Sequence, residues 1–161
     1  MTRVWLTPWE WACCGEPFAV GDEVDFGIRS RESALLVDTL GTERAWSVDA
    51  LESHHEHEYA DRVRGMVAAV QEVTHEVVER TIQVSSRPGR PHESVTFEPV
   101  PDTTRLQTVP GVRLPVDRAV PRREELEGAP TDRPRRSRVG WLVDVEEPPT
   151  EGERKRSGTA G

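Results

Sequence analysis

Two groups of side chains in this sequence have the chemistry to hold a metal ion. One is the adjacent pair Cys13-Cys14, the only cysteines among 161 residues. The other is the run His54-His55-Glu56-His57. A thiolate from the pair and imidazoles from the run would complete a tetrahedral zinc site, so the candidate ligands are Cys13, Cys14, His54, His55 and His57. His55 and His57 are alternate residues and would share one side of an extended segment. Glu56, Glu58 and Asp61 could accept hydrogen bonds from the outer ring nitrogens. The cysteine spacing argues the other way. Sulfur ligands in zinc knuckles are separated by intervening residues, and neighbours on a strand face opposite sides. On these grounds one cysteine is expected to be a small buried hydrophobe and the other to line a turn, with no cofactor. Zinc is the alternative cofactor, and a reactive thiol a further one.

A third group is basic. Arg133-Pro134-Arg135-Arg136-Ser137-Arg138 and Arg154-Lys155-Arg156 could contact phosphates. No aromatic residue interleaves with the first run, and the net charge of −8 opposes binding to nucleic acid or to an anionic membrane. A solvated charge run is the simpler reading. The chain has no phosphate loop, dinucleotide fingerprint, nucleophile elbow or paired-histidine zincin motif, and no catalytic residue is assigned. By elimination, the expected class is a non-catalytic binding or interaction module with a protein or small-molecule partner. One alternative is a metal- or thiol-dependent protein built on the cysteines and the histidine run. Another is a nucleic-acid-associated barrel using Arg133 to Arg138.

The elements that must position these groups follow from pattern and punctuation. The densest stretch runs from Trp9 to Val24. Cys14-Gly15-Glu16-Pro17 reads as a turn, with Gly15 at positive φ, and Phe18 to Ile28 as a strand or strand pair broken at Gly21-Asp22. Trp9 and Trp11, Cys13-Cys14-Gly15, Pro17-Phe18, Val20-Gly21-Asp22 and Val24 together resemble the signature of an actinobacterial domain-of-unknown-function family of small cytoplasmic proteins. Val63, Gly65 and Val67, with Gly140-Trp141-Leu142-Val143-Asp144, are similar to other recurrent pieces of that family. The resemblance implies a fold and no activity.

Arg3 to Leu6 is expected as a first strand. Ala34 to Leu40 is apolar, with a period that suits strand or helix, and Thr42 to Leu51 reads as a possible strand. In the span 62–80, Val63, Val67, Val70, Val73 and Val77 fall at helical spacing. The β-branched content and Gly65 nevertheless favour two strands, about Val63 to Val73 and Val77 to Val84, with a bulge near Gly65. Ser94 to Val100 would be an edge strand because of Pro99, and Val139 to Val145 the closing strand. The fold class is mainly β: a small, partly open β-barrel of the SH3-like type. The expected core is Trp5, Phe18, Val20, Val24, Val67, Val70, Ile82 and Leu142. Residues 1–146 form one domain, with an irregular insertion at about 101–137 and a disordered tail at 147–161.

Composition agrees with a folded part joined to a solvated part, at 35 % apolar, 31 % charged and 13 prolines. No stretch approaches the roughly 20 apolar residues of a membrane span, and no secretory signal opens the chain. A cytoplasmic protein with reduced thiols is the expectation. One lysine among 21 basic residues points to a GC-rich genome.

Overall fold

The computed structural model describes residues 1–29, 33–53, 61–84, 92–113 and 132–148. The chain is mainly β, with nine strands and three short helices among the described residues. In order they are β1 (Thr2–Leu6), α1 (Pro8–Cys14), β2 (Phe18–Ala19), β3 (Glu23–Arg29), α2 (Ser33–Leu40), α3 (Thr42–Ala45) and β4 (Ala50–Glu52). Then come β5 (Asp61–Val84), β6 (His92–Pro99), β7 (Arg105–Val109), β8 (Gly111–Val112) and β9 (Arg133–Glu146).

β5 is the spine. One edge is bonded to β9 from Met66 to Glu79, while the other is shared in turn by β3, β7 and β6. β9 also pairs with β1, β1 runs parallel to β4, and β4 returns to β3. Hydrogen bonds therefore pass through β3, β4, β1, β9, β5 and back to β3, a ring of five strands. Beyond that ring the far ends of β5 and β9 continue with β6 as a ribbon.

The ring strands bury both faces. Val4, Leu6, Val143 and Val145 join Trp11, Phe18, Phe26, Val63, Val67 and Val70 in one apolar cluster. Trp5 and Leu142, which sit opposite each other, point the other way into a second cluster with Leu36 and Leu40 of α2 and Ala45 of α3. Alternate residues of a strand face opposite sides, so a two-faced core needs apolar residues at consecutive positions. Val4-Trp5-Leu6 and Trp141-Leu142-Val143 supply them.

β5 shows why helical spacing can belong to a strand. Val63 and Val67 lie on one face, and an extra residue at Ala68 shifts the register so that Val70 keeps that face. Val73 then falls on the opposite face, in the second cluster. Strand is thus correct for this span, but as one continuous element instead of two. The register irregularities against β9 lie between Val67 and Ala69 and between Val73 and Thr74, neither at Gly65. Gly65 is needed for another reason: a side chain there would meet the Glu146 carbonyl oxygen at 2.1 Å.

Other expectations need correction. Trp9 to Cys14 is helical, and Thr42 opens α3 before β4 begins at Ala50. Ala34 to Leu40 resolves as helix α2. Val20 is 46 % exposed at a turn, whereas Trp5, Phe18, Val67, Val70 and Leu142 are buried and Val24 packs against the core. The Ile82 side chain lies outside the described residues. β6 does end the sheet, as Pro99 implied. The span 101–137 contains β7, β8 and the first part of β9, while 114–131 and the tail from 149 lie outside the described residues.

Candidate functional site

Helix α1 gathers the groups with chemistry. Pro8 stands at its start, where a missing N–H costs nothing, and Gly15 follows its end. Gly15 has φ −74°, so the expected positive φ is absent. Close packing demands glycine there instead: a Cβ would lie 2.3 Å from the Trp11 indole. Trp11 is held edge-on to Phe18 at 5.4 Å and to Phe26 at 6.1 Å between ring centres, the arrangement that ring quadrupoles favour.

Between α1 and the β2–β3 segment lies a cavity of about 580 Å³. Trp11, Phe18 and Phe26 form its floor, and Cys14, Glu16, Asp22, Glu23 and Asp25 stand around it. The carboxylates differ in their commitments. Asp25 is bound by Arg62 at 2.6 Å and Arg64 at 3.0 Å, and those hydrogen bonds, Arg62 first, hold its carboxyl below the usual range. Asp22 accepts the Ala19 amide at 2.8 Å and shapes the turn. Glu16 and Glu23 make no ion pair among the described residues, and they leave the rim negative.

A buried polar cluster lies at the other end of α1. Glu10 and Glu52 are each 2 % exposed, with Ser53 and Thr7 buried beside the chain ends they follow. β1 and β4 run parallel, so Thr7 and Glu52 emerge at the same end of the ring. Glu10 Oε2 and Thr7 Oγ1 have no hydrogen-bond partner among the described residues. Burial, and then the charge of Glu10, pushes the Glu52 carboxyl up to about 8, with Arg29 opposing. Glu52 therefore holds a proton at neutral pH. Sequence reasoning missed both carboxyls, for neither Glu10 nor Glu52 stands in a motif, and only the meeting of two strand ends makes them neighbours.

Cys13 and Cys14 close α1, and both are exposed, so the expectation of one buried sulfur is wrong. On a helix, consecutive residues are not sent to opposite faces, and the Cys14 thiol donates to the Cys13 sulfur at 3.1 Å. That hydrogen bond, with smaller contributions from burial and from the Cys13 and Glu52 charges, raises the Cys14 thiol. His54, His55 and His57 lie outside the described residues.

The arginine run is a strand, not an irregular segment. Arg135, Arg136 and Arg138 project from β9 onto Glu79, Glu76 and Glu72 of β5. Arg138 also stacks on Trp141 at 5.2 Å from the ring centre.

These features define a mainly β domain with a five-stranded hydrogen-bonded ring and a helix-bordered, acid-rimmed cavity. The chain belongs to DUF6578, a family of unknown function whose model matches residues 1–147. No curated protein and no solved structure matches it.

Proposed function

We propose that the protein is a non-catalytic binding module built on a partly open small barrel, and that the cavity beside α1 takes a small organic cation. The observation that carries this reading is the juxtaposition of an aromatic floor with a carboxylate rim around about 580 Å³. That volume is within the range of small-molecule sites. Rings below and the carboxylates of Glu16 and Glu23 above, without an ion pair among the described residues, suit an ammonium group with attached alkyl carbon, which gains from both cation–π attraction and Coulomb attraction. The exposed thiols fit a reducing, cytoplasmic setting, as the family resemblance also suggests. No described helix is long and apolar enough to cross a membrane. Nucleic acid is the less favoured partner, because three arginines of the basic run already face carboxylates.

Calorimetric titration with choline and with its uncharged carbon isostere dimethylbutanol tests the reading. Choline binds, its affinity falls as salt rises, and the double change Glu16→Gln with Glu23→Gln weakens it by about tenfold, equivalent to ~1.4 kcal/mol. Equal binding of the uncharged isostere would remove the cation from the account.

One observation favours a second reading, a zinc- or thiol-dependent role for Cys13 and Cys14 with the histidine run. Cys14 stands close enough to Glu52, two residues before His54 in the chain, for their ionised forms to interact. Elemental analysis of the purified chain decides its zinc form: stoichiometric zinc supports it, and absence of zinc after metal-replete expression rejects it.

A further inference from the structure

The two sulfurs at the end of α1 are 3.1 Å apart, exposed, and unbridged. Three kinds of chemistry compete for such a pair, and geometry separates them. A disulfide normally spans Cα atoms about 4.4–6.8 Å apart, whereas adjacent residues across a trans peptide are held at about 3.8 Å. Closing that bond would distort the last turn of α1, where Gly15 donates its amide to the Trp11 carbonyl at 2.8 Å. A tetrahedral zinc with bonds of about 2.3 Å wants its two sulfurs roughly 3.8 Å apart. At the observed 3.1 Å, the sulfurs subtend only about 85° at a centre with bonds of ~2.3 Å. An angle near a right angle suits a pyramidal centre that carries a lone pair better than a tetrahedral one.

We infer that Cys13 and Cys14 form a bidentate site for a trivalent, thiophilic centre, of which an organic arsenic(III) oxide is the simplest representative. The step is a condensation without redox change. Each thiol forms one sulfur–arsenic bond, the arsenic–oxygen double bond is broken, and the oxygen leaves as water with the two thiol hydrogens. The S–H of Cys14 already points at the Cys13 sulfur, so both nucleophiles face one location before the centre arrives. Cys14 also lines the aromatic-floored cavity, so an aryl substituent on the arsenic has an apolar surface beside it. This inference is independent of cation binding in that cavity, since it needs both sulfurs and neither Glu16 nor Glu23.

The probe is phenylarsine oxide, added to the reduced full-length chain in excess glutathione and read by intact mass spectrometry. One phenylarsenic adduct is expected, with two protons lost from the protein. It should persist against the monothiol and be removed by dithiothreitol. Cys13→Ser and Cys14→Ser, both at exposed positions, should each lose the adduct while melting within a few degrees of the wild type. Three results would overturn the inference: no adduct on the wild type, an adduct retained by either single variant, or a Cys13–Cys14 disulfide that forms in a glutathione buffer in preference to the adduct.

Discussion

One strand passes through two different environments. From Asp61 to Val73, β5 belongs to the ring, and Val63, Val67, Val70 and Val73 are each at most 4 % exposed. From Thr74 onward it belongs to the ribbon. Arg136 and Glu76, or Arg80 with Glu98 and Asp132, face each other there with side chains more than a third exposed. Burial of apolar area is insensitive to salt, and each buried aliphatic side chain contributes roughly 1.5–3 kcal/mol. Exposed ion pairs contribute about 0–1 kcal/mol and are screened. The ring is therefore the rigid platform, and every group around α1 is attached to it. The ribbon adds cross-strand ion pairs to its hydrogen-bonded ladder, and these give the arginines of the basic run their partners.

The contrast can be broken most forcefully in the ring. Phe26 pairs with Val63 across β3 and β5 and closes the aromatic trio, so Phe26→Ala should destabilise by about 3–5 kcal/mol in urea unfolding. A loss below 1 kcal/mol would mean that the ring is not the main support.

The next effect is a pH slope that originates in the ring at Glu52 and is opposed by His75 of the ribbon, whose imidazole is pushed down by burial. The folded Glu52 carboxyl titrates near 8, above its ordinary value of 4.5, so between these two values the folded chain binds the extra proton. Stability contributed by the neutral carboxyl is thus complete below about pH 4.5 and is lost progressively up to about pH 8, by a few kcal/mol in total. Glu52→Gln should flatten that slope when urea midpoints are compared at pH 5 and about pH 8.5. A wild type with no slope would remove the protonated carboxyl from the account.

Packing at the edge of the cavity comes next. Gly15→Val drives a branched side chain into the Trp11 ring and should cost about 1–3 kcal/mol. Gly15→Ala should be only modestly milder, because the first added carbon already collides. If Gly15→Ala were neutral, the close approach would be disproved.

The smallest effect tests the ribbon. A double-mutant cycle on Arg136 and Glu76 should give a coupling of about 0.2–1 kcal/mol that disappears at high salt. A coupling that survived 1 M salt would place the ribbon in the same class as the ring.

The sequence exposed the ring more readily than the site. Consecutive apolar residues at Val4-Trp5-Leu6 and Trp141-Leu142-Val143 mark strands with two covered faces, and β-branched residues mark β5. The single long β5 was harder to see, since an extra residue at Ala68 turns an alternating pattern into one with helical spacing. Helix α1 was hidden because seven residues carry little periodicity, and tryptophan and cysteine favour neither state strongly. Cys14 was singled out, but the carboxylates around the cavity and the Glu10–Glu52 pair were not. The cavity carboxylates follow one another from Glu16 to Asp25 without forming a motif, and Glu10 and Glu52 become neighbours only because β1 and β4 pair in parallel.

The account rests on the cavity beside α1 as the place where the ring meets a ligand. Its most direct test is an NMR titration of the full-length chain with choline. The account predicts shifts in the Trp11 indole resonance and in amides 14–18 and 22–26. Amides 74–80 and 133–138 of the ribbon should stay still, although Glu76 and Glu79 stand there. Shifts spread equally over both regions, or none beside α1, would contradict it.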